Sequence, residues 1–73
     1  MKKKDIKKEL DFAILDVMDA HVIKVEALRE WFAYTNKEDA NPEIAKIMED
    51  EYKFAAGIVS KKQEKITELI NLL

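Results

Sequence analysis

The chain contains no cysteine, one glycine and one proline in its 73 residues. Without cysteine there is neither a disulfide framework nor a thiolate zinc site. Average usage would supply about five glycines and three or four prolines at this length. Each β-hairpin needs such turn residues, so a β-sandwich or barrel is disfavoured. Long apolar runs are missing too. The basic start Met1-Lys2-Lys3-Lys4-Asp5 resembles the opening of a signal peptide, but no uninterrupted apolar stretch follows it. Nothing approaches the roughly 20 apolar residues of a membrane span. These absences lead to the expectation of a cytoplasmic protein without membrane contact.

What is present favours helix. Apolar residues make up 48% of the chain, too many for a disordered segment. Punctuation is confined to Thr35-Asn36-Lys37-Glu38-Asp39-Ala40-Asn41-Pro42. Asn41-Pro42-Glu43 has the form of a helix start: a capping side chain, a proline suited to the first helical position, and an acid at the positive end of the dipole. Asn36 suits the left-handed conformation that commonly ends a helix. The sequence predicts an all-α fold, an antiparallel two-helix hairpin over residues 1–73. Helix 1 is expected over about 5–35, the loop over about 36–41 and helix 2 over about 42–72.

On a wheel at 100° per residue, Leu10, Ile14, Val17, Val25, Leu28 and Phe32 share one stripe of helix 1. Leu15, Met18, Val22 and Ala33 flank it, while Phe12 and Ile23 fall on the acidic face. That apolar arc is wider than one partner helix covers. Helix 2 carries a narrower stripe that includes Ile44, Ile47, Met48, Phe54, Ala55, Ile58, Ile66 and Leu69. A two-helix hairpin encloses no core of its own, and short chains without disulfides or metals commonly oligomerise. The hairpin is therefore expected to self-associate into a four-helix bundle or a larger helical oligomer. Leu10, Ile14, Val17, Met18, His21, Val22, Val25 and Leu28 are the expected interface.

Charge is unevenly spread. Residues 1–8 carry five lysines and one aspartate, whereas residues 9–53 carry twelve acids and five bases. In a hairpin this makes the terminal end positive and the loop end negative. An antiparallel pair of hairpins gains from that distribution and a parallel pair loses, within a screening length of about 8 Å.

Chemistry-bearing residues are few. The hydroxyls of Tyr34, Thr35, Tyr52, Ser60 and Thr67 lie on no glycine-rich turn, and His21 is the single histidine. No nucleophilic triad can be assembled, so no enzyme is expected. The residue three before His21 is Met18, so the Glu-x-x-His of carboxylate-bridged metal sites is absent. No phosphate-binding glycine motif occurs, and no cofactor or metal is expected. His21, between Val17 and Val25, is expected in the core or at the interface, where histidine can make association pH-sensitive. The small run Ala55-Ala56-Gly57 predicts a close helix approach opposite His21, or a pocket there.

Three functions remain in view. The first is a non-enzymatic interaction or regulatory protein that oligomerises and binds or blocks another macromolecule. Phe12, Ile23, Trp31, Tyr34 and Tyr52 are its candidate partner contacts. The second is a nucleic-acid or nucleotide-phosphate binder using Lys2, Lys3, Lys4, Lys7 and Lys8, a reading opposed by the acidic pI of about 5.4. The third is a helical bundle that encloses a small ligand around His21 and Gly57.

Overall fold

A computed structural model describes residues 2–73 and contains two helices, α1 (Lys3–Thr35) and α2 (Pro42–Asn71), with no strand among the described residues. They pack side by side as a hairpin with Cα extents of 57 × 14 × 11 Å. A compact domain of this length would have a radius of gyration near 11 Å. The observed Cα value is 16.8 Å, because only two helices share the chain and neither folds back.

The two helix ends at the loop differ. The Asn41 side chain accepts a 2.9 Å hydrogen bond from the Glu43 N–H, and Pro42 occupies the first helical position. The cap satisfies an N–H that the helix itself leaves unpaired. The Asn41 N–H in turn donates to the Tyr34 hydroxyl at 2.8 Å, tying the end of α1 to the start of α2. The other end corrects an expectation: Asn36 is right-handed, at φ −81° and ψ −4°, and none of the described residues has positive φ. The chain leaves α1 through short-range turns instead, with Lys37 N–H bonded to the Tyr34 carbonyl and Ala40 N–H to that of Lys37.

The seam between the helices follows an alternating three–four spacing. On α1 the seam residues, each buried or half-buried, run Ile6, Leu10, Ala13, Val17, Ala20, Lys24, Ala27, Trp31 and Tyr34. On α2 they run Ala45, Met48, Tyr52, Ala55, Val59, Lys62, Ile66 and Leu69. Such 3.5-residue periodicity is that of a coiled-coil seam. The buried positions are Ile6, Ala13, Ala20, Ala55, Val59 and Leu69, so half of them are alanine. Alanine buries little area but lets backbones approach.

The seam is not the stripe the wheel selects. Leu10 and Val17 lie in it, but Ile14 and Phe32 are exposed outside it, and the alanines take their place. Gly57 is corrected as well. It is exposed, and a Cβ built there would meet nothing within 4 Å, so no helix approaches it. His21 is likewise exposed rather than packed on the small residues of α2.

Candidate functional site

Removing the seam residues from α1 exposes a second regular stripe. Ile14, Met18, His21, Val25, Leu28 and Phe32 repeat the same three–four spacing one position further round, with Leu15 and Val22 beside them. Ile14, Leu15, Met18, Val22 and Phe32 are 41–59% exposed, and His21 is exposed among them. Val25 and Leu28 are half-buried, nearest to α2. The helix has two apolar seams, and α2 fills one of them. A contiguous patch of this kind is uncommon on a monomer.

Total surface gives the same result. A folded monomer of 8.5 kDa exposes roughly 4,700 Å² by the usual scaling. This chain exposes 5910 Å². The excess is of order 1,000 Å², comparable with the ~800 Å² that each partner contributes to a standard interface.

A different surface lies on one flank, where α1 and α2 diverge into an open cleft of about 530 Å³. Ala20, Ala27 and Ala55 form its floor, and Ile23, Phe54 and Ile58 its walls. Asp19, Glu26, Glu30 and Glu51 stand on its rim, with the Lys62–Asp16 ion pair (3.0 Å) at one end. A shallower depression continues past that pair and includes Phe12 and Leu15. Phe12 and Ile23, the two apolar residues that the wheel leaves on the acidic face, thus line the same flank. Neither His21 nor Gly57 lines either of these two hollows.

The aromatic candidates divide. Trp31 stacks on Tyr52 with ring centroids 5.9 Å apart and on Phe32 at 5.6 Å. Trp31, Tyr34 and Tyr52 are half-buried, and the Tyr34 hydroxyl holds the loop. These three close the hairpin, whereas Phe12 (69%) and Ile23 (60%) are open.

Lys2, Lys3, Lys4, Lys7 and Lys8 are all exposed at the terminal end. Lys62, which could have extended that patch along α2, is bound to Asp16. On α2, Lys46 pairs with Asp50 (3.2 Å) and Glu49 (3.9 Å), and Lys53 with Glu49 (2.9 Å). The Lys53 hydrogen bond and then the Lys46 charge hold the Glu49 carboxyl below its ordinary value, and Glu49 raises Lys53 in return. No cluster of three or more His, Asp or Glu side chains able to hold a metal ion occurs among the described residues. No helix there is long and apolar enough to cross a membrane. No protein-family model, curated protein or solved structure matches the chain.

Proposed function

We propose that the protein is a non-enzymatic interaction module that self-associates through the outer stripe of α1 and then binds another macromolecule. The observation that carries this reading is the second three–four stripe, Ile14 to Phe32, left uncovered by α2. Two hairpins meeting along it form a four-helix bundle with the two copies of α1 at its centre. An antiparallel arrangement sets the Lys2–Lys8 end of one copy near the acidic loop end of the other.

The absence of native cysteine offers a direct test, because a single introduced thiol can pair only between copies. In an antiparallel pair the middle of the stripe meets itself, while its ends meet opposite ends. Val22→Cys is expected to give a disulfide-linked dimer under mild oxidation, and Ile14→Cys and Gly57→Cys are not. Equal cross-linking at Val22 and Ile14 would indicate parallel hairpins. Failure at both, with Gly57→Cys no different, would remove the outer stripe from the interface.

A further inference from the structure

We infer that the cleft between Asp16–Glu30 of α1 and Glu51–Lys62 of α2 is a docking groove for a basic amphipathic helix of another protein. This rests on the reading of the chain as an interaction module and names the chemistry of its partner. The cleft has an apolar interior and a charged edge, the arrangement used when one helix lies in a groove formed by others. Phe54 is 73% exposed and Ile23 60%, so the interior is open to an incoming side chain. Residues 16–30 span about 21 Å at 1.5 Å per residue, the length of four helical turns.

The rim determines the sign of the partner. Of the acids of α2 other than Glu51, Glu49 is matched by Lys46 and Lys53 and Asp50 by Lys46, while Glu43, Glu64 and Glu68 stand away from the cleft. Asp19, Glu26, Glu30 and Glu51 have no ion pair among the described residues, although they stand round one hollow. Glu26 and Glu30 are also four residues apart on one helix, a spacing at which like charges destabilise. Lysine or arginine on both flanks of an apolar stripe relieves that repulsion while the stripe covers Ile23, Phe54 and Ile58.

A second copy of this chain does not meet that description. Its segment Lys2–Lys8 has five lysines but a single apolar residue, Ile6, which is buried in the cluster with Ala13 and Leu69. Its outer α1 stripe has free apolar residues but is bordered by Asp11, Asp19 and Glu26, which repel the acidic rim. The charge of these two segments favours a foreign helix as the occupant, and solution mass tests the second copy.

The test uses the full chain and two synthetic helical peptides of about 18 residues, or five turns. Both carry the same leucine stripe; one has lysine flanks and the other glutamate flanks. Fluorescence anisotropy is expected to show binding of the lysine peptide at least tenfold tighter than that of the glutamate peptide. The variants Glu26→Lys with Glu30→Lys, and separately Phe54→Ala, should each weaken it tenfold or more. Reversal of the equally acidic loop pair, Glu38→Lys with Asp39→Lys, should leave it within twofold. Equal binding of both peptides, no binding of either, or equal sensitivity to groove and loop reversals would overturn the assignment. Solution mass separates this surface from the outer stripe. If Phe54→Ala lowers the mass, a second copy fills the groove and the proposal is wrong. If Met18→Glu with Val22→Glu lowers the mass and leaves peptide binding intact, the two surfaces are distinct.

Discussion

The inward and outward faces of α1 carry opposite kinds of apolar residue. Inward, alternate seam positions are Ala13, Ala20 and Ala27, and α2 answers with Ala45 and Ala55. Outward stand Ile14, Met18, Val22, Leu28 and Phe32. A self-sufficient chain keeps its bulk inside and its small residues where they fall, since buried area drives folding. Here the small side chains set how closely two helices approach, while half of the large apolar residues of α1, Phe12, Ile14, Leu15, Met18, Val22, Ile23 and Phe32, stay exposed. Among the buried residues only Ile6, Val59 and Leu69 are large, each stabilising by about 1.5–3 kcal/mol. A core of that size is thin for a chain that must fix two helices of 33 and 30 residues. The difference between the faces teaches why we propose that the core is completed in an assembly.

The largest expected effect breaks the outer face. Met18→Glu with Val22→Glu places two charges in a surface that association would dehydrate. The dissociation constant between copies should rise a hundredfold or more, about 3 kcal/mol, in sedimentation equilibrium. A change below threefold would show that copies do not meet there. The inner face is tested by overpacking. Ala20→Leu should destabilise the hairpin by about 1–3 kcal/mol in urea unfolding. At a dilution where the copies separate, the same enlargement on the outer face, Val22→Leu, should stay within about 0.5 kcal/mol. Equal effects would erase the distinction between the faces.

Smaller effects sharpen the role of α2. Gly57 faces open space, so Gly57→Ala should stabilise by about 0.5–1 kcal/mol through helix propensity alone. Destabilisation would mean that another backbone lies against it. The smallest effect is electrostatic. Glu49 has a lowered pKa, so its contribution is present above its ordinary 4.5 and is lost as pH falls through the lowered value. The raised Lys53 keeps its contribution below its ordinary 10.5 and loses it as pH rises through the raised value. Glu49→Gln should therefore lower stability slightly near neutrality and converge with the parent chain at low pH, which flattens the acid limb of the stability profile. An unchanged acid limb would dissociate this ladder from stability.

The hairpin itself is legible in the residues. Asn41-Pro42-Glu43 marks the start of α2, and the surplus of apolar side chains on α1 shows in a count along the helix. The facing of the seam is not legible, for two physical reasons. A wheel at 100° per residue drifts about 20° per heptad from a 3.5-residue repeat, which blurs two parallel stripes on a helix of 33 residues. A ranking by hydrophobic bulk also favours Ile14 and Phe32 over Ala13, Ala20 and Ala27, whereas helix docking rewards the close approach that alanine permits. Gly57 misleads by the same logic in reverse, because small residues on α2 suggest a contact that Ala55 alone provides. Phe12 and Ile23 are recognisable as misplaced on the acidic face. The cleft joining Ile23 to Phe54 and Ile58 requires the relative rotation of the helices, which a single-helix wheel does not contain.

Solution mass by light scattering over a dilution series, with circular dichroism on the same samples, tests the central claim most directly. The account predicts a mass that is a multiple of 8.5 kDa at high concentration, falling on dilution together with helicity. A fully helical 8.5 kDa particle that persists unchanged at millimolar concentration would contradict it.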